Sequence, residues 1–310
     1  MSMQRRRTRR PSAARVSIVG ATLFLCVIGA EFAPVASAAP SVEPKLVRIV
    51  PTSSWATPSS DPTGLTFQRS TGSLLITDAE VEEIGRLWSG SNLFITNRRG
   101  TLLKSRSVRR VTGEPEDIAW RNRRTSYVVD DDRRRVYRIR TGPDGLIGTR
   151  DDRWKEVLRT RRFGSRDPEG LAWRRRNKSL ILTDARRGRV FIVRCGRDRR
   201  FGTPDDSVRR FATVALGIGT PEDVVWDPRR NHLLIVGSSE PIVVETTMKG
   251  RLVRTFDLSG SGVRRGSGIA LAPDPARPGK RLMFVTDKGV DNESDPDEND
   301  GRLFVFRYPG

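Results

Sequence analysis

Three glutamates recur at equal spacing and could form a metal-binding set. Glu116, Glu169 and Glu222 each follow a proline, and each lies 53 residues from the next. Thr63 and Ser267 occupy the matching place in two further copies of the surrounding motif. If such units surround an axis, the carboxylates converge near it, and hard oxygen ligands suit Ca²⁺. Because a repeated residue usually serves the repeat, the alternative is that each glutamate caps a turn or ties one unit to the next.

Two acidic loops share one pattern. GPDGLIGTRDD spans residues 142–152, and GRDRRFGTPDD spans residues 196–206. Carboxylates around a Gly-Thr turn can wrap Ca²⁺, although neither loop has the spacing of an EF-hand. Asp and Gly are also favoured in hairpin loops, so a purely structural role is the alternative. The candidate ligands are Asp144, Asp151 and Asp152 in the first loop, and Asp198, Asp205 and Asp206 in the second.

A third acidic segment, DNESDPDENDG, spans residues 291–301 of an otherwise basic chain. A run of like charges needs either water or a cation, and the alternation of acidic and amide side chains partly imitates a Ca²⁺ loop. Cation binding is the favoured interpretation, and a solvated acidic loop is the alternative. The candidate ligands are Asp291, Glu293, Asp295, Asp297, Asn299 and Asp300.

Most catalytic constellations are missing. His232 is the only histidine, and it falls in a predicted turn where we expect it to face solvent, so the sequence excludes a His-dependent triad. No zinc cluster, phosphate loop or dinucleotide fingerprint occurs. If the protein is a hydrolase, metal-activated water is the remaining route, with Glu169 or Asp184 as candidate catalytic residues.

The glutamates belong to a repeat that must position them. DPTGLTF, EPEDIAW, DPEGLAW and TPEDVVW begin at residues 61, 114, 167 and 220, and a diverged copy, GSGIALA, begins at 266. After each motif come a polar turn and three further short runs rich in β-branched and aliphatic residues, which predict four strands per repeat. The alternating apolar residues of the motif place one tryptophan column in a common core layer. In the first four repeats the second strand is predicted to end at Asp78, Asp131, Asp184 and Gly237.

Four short antiparallel strands per repeat, without helical periodicity, predict an all-β fold, a five-bladed β-propeller. The fifth repeat stops after its third strand, and a spare strand at residues 45–50 precedes the first repeat. We therefore expect the N-terminal strand to complete the last blade and close the ring. Six blades is the alternative, if residues 80–97 contain an additional hairpin.

The N-terminus predicts a secreted protein. Residues 1–39 combine a basic stretch, a 15-residue apolar stretch (residues 16–30) and an Ala-Ser-Ala cleavage site, as a signal peptide does, and residues 40–310 form the predicted propeller domain. No transmembrane segment is expected after cleavage. The formal charge of +20 comes mainly from arginine. It indicates either solvated surface positions or binding to a polyanion or the cell envelope, without a specific nucleic-acid motif.

The pattern of PEGLAW, strand, Thr-Asp, strand resembles bacterial propellers grouped with NHL repeats, SdiA-regulated proteins and the esterase-like phytase-related family. It is more distantly similar to the gluconolactonase/senescence-marker family, in which a glutamate at a comparable place binds a metal. The resemblance implies a propeller over residues 42–310 and is weak for activity. We expect a Ca²⁺-stabilised propeller that binds a ligand or protein partner at one face. A Ca²⁺-dependent lactonase or phosphoesterase, or an arginine-mediated polyanion binder, are the alternatives.

Overall fold

The computed structural model describes residues 39–290 and 298–309. Within these ranges, 21 strands form five sheets, which are antiparallel except for one short parallel pair, and four short 3-10 turns are the helical segments. Two strands precede the first repeat, and the others follow in blade order. The strands before the repeats are β1 (Ser41–Val42) and β2 (Leu46–Pro51).

Each of the first four repeats forms one complete four-stranded blade, with its strands in sequence order across the sheet. Blade 1 contains β3 (Pro62–Gln68), β4 (Ser73–Asp78), β5 (Leu93–Thr96) and β6 (Leu102–Arg106). Blade 2 contains β7 (Asp117–Asn122), β8 (Thr125–Asp130), β9 (Arg135–Arg140) and β10 (Arg153–Arg159). Blade 3 contains β11 (Pro168–Arg174), β12 (Ser179–Asp184), β13 (Arg189–Arg194) and β14 (Ser207–Ala212). Blade 4 contains β15 (Pro221–Asp227), β16 (His232–Gly237), β17 (Ile242–Thr247) and β18 (Leu252–Asp257).

Blade 5 closes the ring with a strand from the other end of the chain. It contains β19 (Gly266–Pro273), β20 (Arg281–Asp287) and β21 (Arg302–Tyr308), and its outermost strand is β2. The antiparallel register runs from Leu46 opposite Phe306 to Pro51 opposite Arg302. The prediction that residues 45–50 complete the last blade is confirmed, and so is the five-bladed propeller.

The six-blade alternative is wrong. Residues 80–92 form successive turns, and Val81 and Ile84 anchor them by packing into the interior. The one strand between residues 80 and 97 is β5, which already belongs to blade 1. A buried turn segment with apolar anchors resembles a strand in composition, which explains why the sequence left this choice open.

The N-terminal segment pairs with strands of two blades. Besides β2 in blade 5, the two-residue strand β1 pairs in parallel with β18, so that Ser41 lies opposite Thr255 in blade 4. The backbone N–H of Thr255 also donates to the carbonyl of Pro40 at 3.0 Å. This second attachment was not predicted, because two residues are too few for a recognisable strand pattern.

The core lies between the blades. The inner strands β3, β7, β11, β15 and β19 contact each other in a continuous ring. The predicted tryptophan column packs beside the apolar clusters between blades, and Trp173 of blade 3 stacks on Tyr127 of blade 2 with ring centroids 5.6 Å apart. Each blade therefore buries its faces against two neighbours, which no single repeat achieves alone.

We expect the closing strand to be essential for stability. Deleting residues 40–51 opens the edge of β21 and removes the packing of the half-buried Leu46 and Val50, each contributing about 1 kcal/mol. In urea denaturation, a chain that begins at Thr52 should lose about 2 kcal/mol or more of unfolding free energy. A chain that begins at Pro40 is the control, and equal stability of the two would contradict the closure.

Candidate functional site

The predicted glutamates meet at the face where the inner strands begin, which we call the mouth face. Glu169 and Gly170 lie at a register shift between Pro168 and Leu171 of β11, and a similar shift follows Pro221 in β15. A bulge of this kind leaves a residue outside the ladder and redirects its side chain. Four of the five inner strands start with this irregularity, and in blade 2 Glu116 directly precedes β7. Glu116, Glu169 and Glu222 are therefore presented by three consecutive blades.

A second set of mouth residues comes from the position directly after the second strand of each blade. In blades 3, 4 and 5 the backbone N–H at this position donates to a carbonyl just before the inner strand: Ala185 to Asp167, Ser238 to Thr220 and Lys288 to Arg265. The five members of the set are Ala79, Asp131, Ala185, Ser238 and Lys288. Two of them, in blades 2 and 5, are charged.

Asp131 enters this set because the hairpin between the first two strands of blade 2 is one residue shorter than the same hairpin in blades 1, 3 and 4. Trp120 lies opposite Ser126, six residues later, whereas Trp173 lies opposite Leu180, seven residues later. The second strand of blade 2 therefore ends at Asp130, which corrects the predicted end at Asp131. The shortened turn moves a carboxylate from the strand end into the mouth.

Three carboxylates meet closely enough to hold one metal ion. Ligand oxygens of Asp131, Asp167 and Glu169 all lie within 4.8 Å of one another. The carboxyl of Glu116 hydrogen-bonds to Glu169 and to Asp131. Of these four residues, Glu116 and Glu169 were predicted as channel carboxylates and Glu169 also as a catalytic candidate. Asp131 and Asp167 were missed as ligands, although the shortened hairpin in blade 2 was a readable signal for Asp131.

One ammonium group faces this acidic set. The Nζ of Lys288 lies 3.9 Å from Oε2 of Glu222, and both side chains are about one-tenth exposed. Burial lowers the pKa of Lys288, but the nearby carboxylates of Glu222, Asp61 and Glu169 outweigh it and hold that pKa above its usual value. We call the combined group the mouth cluster: Glu116, Asp131, Asp167, Glu169, Glu222 and Lys288.

The excess of negative charge in the mouth cluster favours protonation or cation binding. Burial raises the pKa of Glu169 well above its usual value, and the charges of Glu222 and Asp131 raise it further. Burial and the charge of Glu169 likewise raise the pKa of Glu116. At the rim, burial and Asp131 raise the pKa of Glu114 to about 8. Like charges close together in a partly dry site resist joint ionisation unless a cation neutralises them.

A buried pair of carboxyls lies on the inner strands beside the mouth cluster. Asp117 accepts the N–H of Leu171 at 2.7 Å, and Asp223 accepts the N–H of Ile269 at 2.7 Å, so each ties its blade to the next. The two carboxyls also hydrogen-bond to each other. Since they belong to the non-adjacent blades 2 and 4, this bond crosses the axis.

Asp184, the other catalytic candidate, lies at a turn. It is fully buried and accepts backbone N–H groups of Arg166 at 2.7 Å and Arg187 at 2.9 Å. Asp78, Asp130 and Asp287 accept comparable bonds in their own blades. The repeated geometry matches a turn-holding role, and no result tests catalysis by Asp184, which stays a prediction.

In the two acidic loops, the carboxylates accept hydrogen bonds from other residues of the same loop. Asp152 accepts the N–H of Gly148 at 2.7 Å, and Asp206 accepts that of Gly202 at 2.6 Å. The hydroxyl of Thr203 donates to Asp205, and the matching Thr149 donates to Asp151. Asp144 and Asp198 each accept an N–H two residues ahead. These contacts match the hairpin alternative, and the Ca²⁺ assignment of both loops stays a prediction.

The acidic segment is described only at its end. Asp291, Glu293, Asp295 and Asp297 lie outside the described residues, and their metal assignment stays a prediction. Asp300 accepts a hydrogen bond from Arg264 at 3.1 Å, and the amide of Asn299 donates to the carbonyl of Ser53 at 3.4 Å.

His232 differs from its prediction as a solvent-facing residue. Its Nδ1 lies 2.7 Å from Oε1 of the fully buried Glu245, and its side chain is 23% exposed. Arg254 and Arg230 bond to the same carboxylate. Glu245 therefore serves as a buried anchor for three cationic or ionisable side chains.

Comparison of the sequence with protein-family models and with curated proteins gave no match. Solved structures are similar in fold at low identity. Glutaminyl cyclase from Myxococcus xanthus is 14% identical, with a TM-score of 0.54 over 87% of this chain and 98% of that chain. A luciferin-regenerating enzyme is 13% identical, with a TM-score of 0.52 over 81% and 92%. Regucalcin from Agrobacterium tumefaciens, a calcium-binding protein, is 12% identical, with a TM-score of 0.52 over 87% and 95%.

These similarities show the fold alone, because all three identities are far below 25%. They support the resemblance to propeller proteins seen in the sequence, and the finer family assignment stays a prediction. The described residues contain no helix with the length and hydrophobicity that a membrane span requires.

We expect the Asp117–Asp223 pair to make stability fall as pH rises. The pKa of Asp117 is raised to about 6 and that of Asp223 is raised well above its usual value, both mainly by burial. The folded protein therefore binds more protons than the unfolded chain from about pH 4 to above pH 6, and the free energy of unfolding declines across that window.

Asp223→Asn removes one of the two titrating groups and should flatten this decline. Urea denaturation between pH 4 and pH 8 measures it, with Asp198→Asn in an exposed loop as the control. The loss of one acceptor costs about 1 kcal/mol at all pH values, so the slope and not the absolute stability is the readout. An unchanged slope in Asp223→Asn would show that the pair does not share a proton.

Proposed function

We propose that the protein is a secreted, Ca²⁺-binding β-propeller that binds a ligand or protein partner at its mouth face. The observation that carries the proposal is the mouth cluster, in which five carboxylates face the single ammonium group of Lys288. A bound divalent cation offsets half of this excess of negative charge. A cation held there also gives a ligand carboxylate, phosphate or hydroxyl a coordination partner at the centre of the face.

The donor set fits Ca²⁺ in chemistry and in size. Asp131, Asp167 and Glu169 offer hard carboxylate oxygens no more than 4.8 Å apart. Ca²⁺ binds oxygens at about 2.3–2.6 Å, so ligands on opposite sides are about 5 Å apart, and its flexible coordination accepts partners such as Glu116 or water. No nitrogen or sulfur donor belongs to the set, which favours Ca²⁺ over zinc or copper.

Two further points support the proposal. A calcium-binding protein, regucalcin, has the same fold. The predicted signal peptide at residues 1–39 would direct the chain out of the cell, where Ca²⁺ is abundant enough to fill even a weak site of about 10⁻⁴–10⁻³ M.

We expect Asp131→Asn to weaken Ca²⁺ binding at least about tenfold, which is ~1.4 kcal/mol, because it removes one of the three converging carboxylates. Isothermal titration calorimetry with CaCl₂ measures this affinity. Asp132→Asn is the matched control, since Asp132 is the exposed neighbour. Binding should also strengthen as pH rises from 5 to 8, because the raised pKa values of Glu116 and Glu169 mean that protons leave when the metal enters. Equal effects of the two substitutions would place the ion elsewhere.

Metal-dependent hydrolysis of a lactone or phosphate ester is the second candidate. It is favoured by the pKa values of Glu116 and Glu169, which burial and nearby carboxylates raise directly beside the proposed ion, since a carboxyl with a raised pKa can hold a proton and pass it to a reacting group. In this role a metal held by Asp131, Asp167 and Glu169 would supply Lewis acidity, and Glu116 would hold or move the proton.

We expect any such turnover to require Ca²⁺ and to fall by about 10²-fold or more in Glu116→Gln, because the amide cannot exchange that proton. A screen of lactones and phosphate esters measures it, with Glu83→Gln at the exposed rim as the control. Calcium binding without turnover on either substrate class contradicts the hydrolase and leaves the binding role intact.

A further inference from the structure

The face opposite the mouth has a different charge. Each inner strand ends there in a short turn to the second strand, and we call the five turns the turn face: residues 69–72, 123–124, 175–178, 228–231 and 274–280. One carboxylate, Asp274, occurs in these turns. Ten basic residues occur in them: Arg69, Arg123, Arg124, Arg175, Arg176, Lys178, Arg229, Arg230, Arg277 and Lys280.

This asymmetry follows the fold and not only the overall composition. The connections from the second to the third strand lie on the mouth side, and their described residues are 79–92, 131–134, 185–188, 238–241, 288–290 and 298–301. These residues include six basic and eight acidic ones. If the arginines merely filled surface positions, the connections at both ends of the second strands would have similar proportions of basic and acidic residues.

The turn face offers its cations to solvent. All of them are exposed except Arg230 and Arg277, which are half-buried. Arg277 binds Asp274 at 2.7 Å and Arg230 lies 3.4 Å from Glu245, and the other eight form no ion pair with a described residue. Beneath them, burial and the charges of Arg176 and Arg209 lower the pKa of Arg174. The connections from the third to the fourth strands (97–101, 141–152, 195–206 and 248–251) lie at the same end of the blades and add eight basic and six acidic residues. With 18 basic and seven acidic residues in all, this end of the blades keeps a large excess of positive charge.

We propose that the turn face binds a phosphodiester polymer through its phosphate groups. Arginine supplies eight of the ten cations, and its guanidinium group binds phosphate oxygens with two parallel hydrogen bonds. In two blades two exposed arginines are adjacent, at 123–124 and 175–176, so neighbouring guanidinium groups can contact successive phosphates of one strand.

The composition of the turns favours a soluble polymer over a membrane. The five turns contain no Leu, Ile, Val, Met, Phe, Trp or Tyr. Stable docking on a bilayer combines basic residues with apolar side chains that enter the interface, and the turns provide only the former. The same absence of exposed aromatic rings in the turns argues against base stacking, so the polymer is recognised by charge and not by sequence.

Binding of a fluorescein-labelled 20-nucleotide poly(dT) strand, measured by anisotropy on the folded protein, tests the assignment. Arg175→Ala/Arg176→Ala should weaken binding about tenfold or more and reduce the slope of log K against log salt concentration by about 1.4. The matched control is Arg186→Ala/Arg187→Ala, an equally exposed pair in the same blade at the opposite end of β12. The control should bind within about twofold of the unmodified protein.

Four outcomes overturn the proposal. Equal weakening by both double variants shows attraction to net charge without a face. Absence of poly(dT) binding at low salt excludes phosphodiester polymers as the ligand. Tighter binding to heparin than to poly(dT), weakened by the same two alanines, assigns the face to sulfated polymers. Binding to vesicles of phosphatidylglycerol and phosphatidylcholine with no binding to poly(dT) assigns it to membranes. Calcium affinity of each variant, measured in parallel, confirms that the mouth and the fold are intact.

Discussion

The hydrogen-bonded pairing of β2 with β21 is the contact on which the whole ring depends. An open array would leave blade 5 with an unpaired outer strand, and a ring needs every inner strand to touch both neighbours. The mouth cluster exists only in the closed ring, because its side chains come from four blades. Glu116 and Asp131 belong to blade 2, Asp167 and Glu169 accompany blade 3, Glu222 belongs to blade 4, and Lys288 follows β20 of blade 5.

Neighbouring blades are fitted together by an alternation of glycine and aspartate on the inner strands. A Cβ atom on Gly64 would lie 2.5 Å from the Cα of Asp117, and one on Gly170 would lie 2.4 Å from the Cα of Asp223. The glycines therefore allow the next blade to approach, and the aspartates bond the N–H groups of the blade after it. With an odd number of blades the alternation cannot be perfect. Gly268 of blade 5 consequently meets blade 1, where a Cβ would lie 2.7 Å from the carbonyl oxygen of Thr63.

The charged residues that distinguish the mouth cluster lie at positions where the repeats differ in sequence. The aspartates that end the second strands hold turns in four blades and serve the fold, as repeated residues usually do. Asp131 and Lys288 instead occupy a position that is alanine or serine in the other blades. One brings an extra negative charge and the other the single ammonium group of the mouth cluster. Different residues at equivalent positions thus give a nearly symmetric ring an asymmetric distribution of charge at its mouth.

The sequence by itself determined the repeat, the strand order and the closing strand, because a 53-residue step and alternating apolar residues are properties of the linear chain. The choice between five and six blades needed the structure, which shows residues 80–92 as turns. It also placed Glu116, Glu169 and Glu222 near one axis. The tertiary structure alone decided that Asp131 and Asp167 join Glu169, and that Lys288 opposes them. Convergence of side chains from different blades depends on a one-residue change in a turn and on the ring's geometry. Neither the distances nor the resulting excess of charge can be read from spacing along the chain.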